Sequence, residues 1–417
     1  MAHEDFAFSA YSELVKNILP FWMAHARDFA SGGFYGAISS DNSGDPNEPR
    51  SIVMTARHLW TYSAAARLLN EAELLEMADY AFDSVVSHFI DPVHNGVFWS
   101  VKPDGSPAVT KKQVYGQAFA LYGLCEYGLA LYTIRNDFQK ATEIVTYALP
   151  IFLLLESHAR DEIHGGYIEA LAQDWSETKD LKLSEKDIDC AKSMNTNLHV
   201  MEAYSCFHKY LSLIVPEDPE FISHVEEALY SLVMVTTNHI LGADGHLNLY
   251  FTSEWKQIGD PISFGHDIES SWLMWEAAEQ LESKFLKESI KSTVIRIADI
   301  ALQEGWDPKT GGFENEIHNG KRDTSRIWWC QAEAVVGFIN AWEITGDQKY
   351  LDATHAIWKW IQDKQVDREY GDWFLSVSAQ GLPDLSEIKG GNWKTGYHNA
   401  RCCMEILKRL RRVNNDN

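Results

Sequence analysis

Apolar residues recur at spacings of three and four along six stretches of this chain: 57–69, 117–131, 196–213, 268–281, 332–344 and 400–410. That period places them on one face of a helix and predicts six amphipathic helices. Between these stretches a glycine-marked pattern returns six times. A glycine beside a small or polar residue leads into alternating aromatic and aliphatic positions, as in Gly32-Gly33-Phe34-Tyr35, Asn95-Gly96-Val97-Phe98 and Gly165-Gly166-Tyr167-Ile168. The later copies are Gly245-His246-Leu247, Gly311-Gly312-Phe313 and Gly371-Asp372-Trp373. Each copy reads as a turn feeding a short strand, because glycine tolerates positive φ and the following residues alternate. An Asp or Glu lies a few residues upstream of the copies, as in many turns.

With Gly33, Gly96, Gly166, Gly245, Gly312 and Gly371 as marks, the intervals are 63, 70, 79, 67 and 59 residues. An interval of about 65 residues holds two helices of about 15–20 residues and a hairpin. A helix pair cannot bury its apolar stripe alone, so the pairs must stack. An open helical solenoid leaves two exposed ends and a ring leaves none. The predicted fold is therefore all-α, an (α/α)6 barrel with short β-hairpins at the mouth, running through residues 1–417 as one domain. Length alone would suggest two or three domains; the repeat replaces that reading. A ligand site is expected where the hairpins gather.

Composition narrows the partners. The chain has 417 residues with 60 Asp+Glu against 36 Lys+Arg, a net charge of −24. Such a surface repels phosphate backbones and anionic lipid, so neither nucleic acid nor membrane is an expected partner. The six cysteines show no CxxC pair and no zinc-type spacing, and are expected as free thiols. The N-terminus has no basic segment followed by an apolar run, and the greasiest stretch, 147–155, is too short to span a bilayer. A cytoplasmic, soluble protein is expected, as a monomer or homodimer.

Three histidines stand out by context: His199 in Asn195-Thr196-Asn197-Leu198-His199, His266 in Gly265-His266-Asp267, and His398 in Gly396-Tyr397-His398-Asn399. Each falls at or near the start of a predicted helix. His199/Glu202 and His266/Glu269 are three apart and share a helical face, as do Asn195 and His199 at four. A carboxylate behind an imidazole fixes its tautomer and suits acid/base work near neutral pH. His-x-x-Glu also fits a metal site, but no third ligand of matching context is evident, and no metal or other cofactor is expected. Core or surface histidines are the plain alternative, the chain having 16. The aromatics offer a second line. Trp255, Trp306, Trp328, Trp329, Trp373 and Trp393 fall near predicted loops or hairpins, where an indole can stack on a sugar face. Trp22, Trp60, Trp272, Trp275, Trp342, Trp358 and Trp360 lie within helix patterns and read as core. Arg57, opening the first inner helix, suits either an oxyanion or a surface ion pair.

At these residues the chain resembles the N-acylglucosamine 2-epimerase superfamily, and within it the branch acting on cellobiose. The matching stretches are Ile18 to Trp22, Gly32 to Gly36, Arg57 to Ser63, Tyr115 to Phe119, Met194 to Tyr204, Gly265 to Glu269, Trp328 to Ala334 and Gly391 to Asn399. The resemblance implies an (α/α)6 barrel that inverts C2 of a reducing-end aldose without a metal or nucleotide as chemical agent. Its substrates would be β-1,4-linked disaccharides such as cellobiose and lactose. The family's acid/base pair maps onto His266 and His398, its third histidine onto His199 and its oxyanion arginine onto Arg57. The sugar contacts map onto Tyr115, Asn195, Trp255, Glu269, Trp329, Glu333 and Trp393, and Trp306 joins them from its place near the mouth. One departure is Asn197, where many relatives carry histidine; it lies on a different helical face from His199. Three rivals remain: isomerisation or epimerisation of a monosaccharide, glycoside hydrolysis by Glu269 and Glu333, and sugar binding without chemistry.

Overall fold

The computed structural model describes residues 2–184 and 187–415. Among them, six inner helices alternate with six outer helical segments. The inner helices are α1 (Ile52–Leu69), α2 (Val114–Arg135), α3 (Met194–Ile214), α4 (Phe264–Gln280), α5 (Trp328–Thr345) and α6 (Tyr397–Asn415). Each packs on the next, and α6 packs back on α1, so the ring closes. The inner helices are flanked by neighbours on nearly every side and carry buried polar as well as apolar residues; in α2, every residue from Val114 to Leu131 is buried. Five of the six predicted stretches begin three to five residues inside the observed helix, Thr196 lying two residues inside α3. The first turns carry the polar and small residues that line the mouth, which interrupts the apolar period.

Short antiparallel strand pairs stitch neighbouring repeats at one end of the ring. Arg50–Ser51 pairs with Ser100–Val101, and Lys112–Gln113 with Ala170–Leu171. The last pair, Ala37–Ile38 with Gly390–Gly391, joins the sixth repeat to the first. Each of the first five inner helices starts directly after such a strand, so the N-termini of the inner helices face this mouth. Ser51 and Ser193 cap α1 and α3, their Oγ atoms accepting from Met54 N at 3.1 Å and Thr196 N at 3.0 Å.

Two further devices repeat. An aspartate in the turn after an outer helix meets a buried cation in, or for Lys389 just before, the strand preceding an inner helix: Asp28–Arg50, Asp91–Lys112, Asp161–Lys192, Asp307–Arg326 and Asp367–Lys389. In the fourth repeat Gly242 and Ile262 stand at these places. The fourth residue of an inner helix clamps its own hairpin. Gln117, Asn197 and Gln331 each accept from and donate to one backbone unit, at Val97, Tyr167 and Phe313. Asn197 is thus fully occupied by the hairpin and points away from His199. The glycine marks are needed here: a Cβ on Gly166, at φ +72°, would lie 2.4 Å from the Trp255 ring and 2.8 Å from Asn197 Oδ1.

Residues 138–159 are long and apolar enough by composition to cross a bilayer, a longer run than 147–155 suggested. In the ring they form the third outer segment, with Ala148, Ile151, Phe152 and Leu155 buried on the side facing α2.

Candidate active site

The mouth leads to a polar floor built from the first three turns of the inner helices. The sixth residue of each of the first five helices points to the axis: Arg57, Phe119, His199, Glu269 and Glu333. Arg401, from the second turn of α6, completes the set. Arg401 is 1% exposed and bridges three carboxylates. Its Nη2 donates to Glu269 Oε1 and Glu333 Oε1, both at 2.7 Å, and its Nη1 donates to Glu202 Oε1. The sequence reading missed this residue. Its position three after His398, in register with Glu269 and Glu333, was the available signal.

The three histidines each have Nδ1 engaged. His199 Nδ1 lies 2.8 Å from Glu202 Oε2, the helical partner expected from spacing. His398 Nδ1 lies 2.7 Å from Glu333 Oε1, a partner on the neighbouring helix. His266 differs from expectation: its Nδ1 meets Ser263 Oγ at 2.8 Å, and Glu269 turns inward to Arg401. His266 and His398 both pack on the Trp329 ring, with centroids 4.7 and 5.8 Å away. Burial pushes His266 down to about 3, and pushes His199 and His398 below the ordinary imidazole range as well. All three are therefore neutral at neutral pH.

The carboxylates divide. Burial would raise Glu202, but the Arg401 charge and the His199 hydrogen bond bring it down to about 2. Burial and the neighbouring Glu333 push Glu269 up to about 8, and burial raises Glu333. One guanidinium cannot neutralise three buried carboxylates, so a proton stays on the Glu269/Glu333 pair. Ligand atoms of Glu269, Glu333 and His398 lie within 4.8 Å of one another, a third ligand that sequence spacing did not reveal. The cation among them is Arg401, whose guanidinium uses the carboxylate oxygens that a metal ion would need. Both carboxylates of the Glu269/Glu333 pair are also held by Arg401, so neither stands free to flank a glycosidic bond.

Around this floor stands an aromatic wall. Arg57 donates to Trp393 O at 2.9 Å and Tyr115 Oη at 3.0 Å, five residues inside α1 and not at its start. Its guanidinium lies over the Phe119 and Tyr397 rings. Trp393 is 40% exposed at the rim, with Tyr115 and Trp99 rings 6.0 Å away. Asn195, one turn before His199, has a buried Oδ1 without a hydrogen-bond donor. Together with His266 it lines a cavity bounded by Leu181, Asp187 and Tyr250.

Three tryptophans expected near the mouth have their indole N–H engaged within the protein. Trp373 is fully buried and donates to Glu13. Trp255 packs against Gly166 and donates to His164 O at 2.9 Å, as Trp175 does to His94 O one repeat earlier. Trp306 donates to Gly311 O at 3.3 Å within its own hairpin. Packing buries the Trp255 and Trp373 indoles while Trp306 stays half-buried, and loop position in sequence does not distinguish them from Trp393. Trp60, Trp272, Trp358 and Trp360 are buried, as their helix patterns implied.

The family model for N-acylglucosamine 2-epimerase (GlcNAc 2-epimerase) matches residues 33–402. The chain belongs to this family. Among its epimerase relatives, the cellobiose 2-epimerase of Bacteroides fragilis is 39% identical over 400 residues, covering 95% of this chain and 97% of the relative. That of Eubacterium cellulosolvens is 36% identical over 407 residues, at 95% and 97% coverage. The solved structure of the cellobiose 2-epimerase from Spirochaeta thermophila superposes with a TM-score of 0.88 at 38% identity, covering 99% of this chain and 98% of that one. The (α/α)6 barrel read from the glycine marks is the fold of this epimerase family.

Proposed function

We propose that this protein is a cellobiose 2-epimerase, which inverts C2 of the reducing-end glucose of β-1,4-linked disaccharides. The observation that carries the reading is the pair of neutral imidazoles, His266 and His398, packed on one indole with Nδ1 anchored. In the tautomer with the proton on the anchored Nδ1, their Nε2 atoms are the basic positions offered to substrate. Relatives named for this activity, aligned over nearly the whole chain, support it.

In the proposed mechanism the sugar ring opens first, because C2–H is acidic only beside a free carbonyl. One of the two histidines takes the C2 proton, leaving a cis-enediol(ate). Arg57, with Tyr115 beside it, and His199 face O1 and O2 and stabilise the negative charge. The inner-helix N-termini add partial positive charge at the same end. The growing anion raises the proton affinity of an imidazole that is a weak base in the empty site. The other histidine returns a proton to the opposite face of C2. Return to C1 instead would give the ketose. Trp329 and Trp393 would stack on sugar faces, while Asn195 Oδ1 accepts from a hydroxyl. Glu269 and Glu333 act from behind, through Arg401 and His398. We take the residues 1–417 as one catalytic domain working in the cytoplasm, with no cofactor.

NMR in D₂O with cellobiose and with mannose tests the reading. Deuterium at C2 and the appearance of the mannose-ended disaccharide are expected. Fructose from mannose with no change in cellobiose would make the protein an isomerase, and free glucose a hydrolase. Binding of cellobiose without exchange would leave a sugar-binding protein.

A further inference from the structure

We propose that Arg401 is a positioning residue that couples the protonation of His199 to that of His398, by holding in one guanidinium the two carboxylates that anchor these imidazoles. The inference rests on the epimerase reading above and deepens it.

The connection is continuous. His199 Nδ1 meets Glu202 Oε2, Glu202 Oε1 accepts from Arg401 Nη1, Arg401 Nη2 donates to Glu333 Oε1, and that oxygen faces His398 Nδ1. His199 and His398 come from helices on opposite sides of the ring, α3 and α6, and the guanidinium spans the gap. Its orientation is over-determined. Tyr397 Oη bonds both Arg401 and Glu202, and the Trp272 and Tyr397 rings lie 4.8 and 4.4 Å from the guanidinium carbon. Trp272 also donates to Glu333 Oε2 at 3.0 Å, which turns the other carboxylate oxygen toward His398 and Arg401.

Other charged and titratable groups face this assembly from every inner helix. They include Arg57 on α1, Tyr115 and Tyr122 on α2, His199 and Glu202 on α3, His266 and Glu269 on α4, Cys330 and Glu333 on α5, and Tyr397 and Cys402 on α6 beside Arg401 itself. Among them only Arg401 contacts the anchors of two different histidines. A proton added to His398 draws charge on Glu333 away from Arg401, which tightens its hold on Glu202 and so changes His199. A cation at this point also opposes protonation of either imidazole, keeping both available as bases. In the proposed mechanism Arg401 contacts the carboxylates of Glu202, Glu269 and Glu333 and not the reacting carbons, so its effect on the two histidines passes through Glu202 and Glu333.

The test uses Arg401→Met, which removes charge and fork, and Arg401→Lys, which keeps the charge but not the fork. Without substrate, the downfield Nδ1–H resonances of His199 and His398 are followed against pH. In Arg401→Met both are expected to titrate at higher pH than in the wild type, because the opposing charge is gone. The acid limb of kcat/KM for C2 exchange should rise with them, by about one pH unit. In Arg401→Lys the limb should stay near its wild-type position while kcat falls about 10–100-fold with little change in KM. If Arg401→Met is too unstable, Glu333→Gln and Glu202→Gln give a crossed test. Glu333→Gln should move the His199 resonance and Glu202→Gln that of His398, although neither pair is in contact. A purely structural role would lower the melting temperature and leave both resonances and the pH limb unchanged. That result, or movement of one histidine alone, overturns the proposal. The resonances are read without substrate, so a wild-type protein that exchanges no C2 deuterium would overturn the epimerase reading separately.

Discussion

His398 and Glu333 stand 65 positions apart in the chain, yet His398 Nδ1 lies 2.7 Å from Glu333 Oε1, both side chains buried between α5 and α6. With His398 Nδ1–H donating to the carboxylate of Glu333, Nε2 of the neutral ring carries the lone pair. The tautomer of a base in the proposed reaction is thus set by a neighbouring helix. Glu333→Gln keeps the shape but weakens this anchor, and should lower kcat about tenfold or more with KM nearly unchanged. Steady-state kinetics on cellobiose measure it.

His266→Ala and His398→Ala should each reduce C2 exchange by about 10²–10⁴-fold, the usual contribution of an acid/base group. Deuterium incorporation by NMR gives the rate. Near-wild-type exchange in either variant would remove that histidine from the two-base scheme.

Trp393 is the rim indole that remains exposed. Trp393→Ala should raise KM for a disaccharide about fivefold, with a smaller change in kcat, since stacking contributes about 1 kcal/mol. Trp255→Ala should instead lower the melting temperature, because its ring fills the space beside Gly166. Kinetics and thermal melts of the two variants, run side by side, separate a sugar platform from a hairpin prop.

His58 is buried against Phe34, ring centroids 4.3 Å apart, and burial pushes its pKa down to about 3. In the unfolded chain it titrates near 6.5, so between these values the unfolded state holds the extra proton. Stability is therefore full above about pH 6.5 and falls as the pH drops, by about 1.4 kcal/mol per pH unit for this one group. His266, depressed to about 3 as well, adds in the same window. Urea unfolding at pH 7 and pH 5 should show a smaller acid loss in His58→Phe than in the wild type.

Lys112 and Asp91 form an ion pair with both side chains fully buried, at 2.8 Å. Lys112→Met strands the carboxylate and should cost about 3–5 kcal/mol, while adding Asp91→Asn should recover part of it. Denaturant midpoints for the single and double variants decide this. The fourth repeat, with Gly242 and Ile262 at these places, lacks the pair without losing its place in the ring.

Much of this arrangement was legible in one dimension because it is local. Helical period, the glycine turns and the three-residue step from His199 to Glu202 are properties of short segments. The same local rule failed at His266, where Glu269 sits on the right face but is drawn to Arg401. It is blind at Trp255, since an indole near a turn reads alike whether it faces sugar or, as here, packs on a hairpin glycine.

The sequence by itself determined six helix pairs, their turns, and the histidines that begin three of the inner helices, because each depends on neighbours within about one turn of chain. Only the closed ring decided which groups meet on its axis. Arg401 reaches Glu202, Glu269 and Glu333, which lie 199, 132 and 68 residues away, because α6 packs back toward α1 and turns its second turn inward. Such encounters are set by the packing of whole helices around a ring, and no spacing along the chain encodes them.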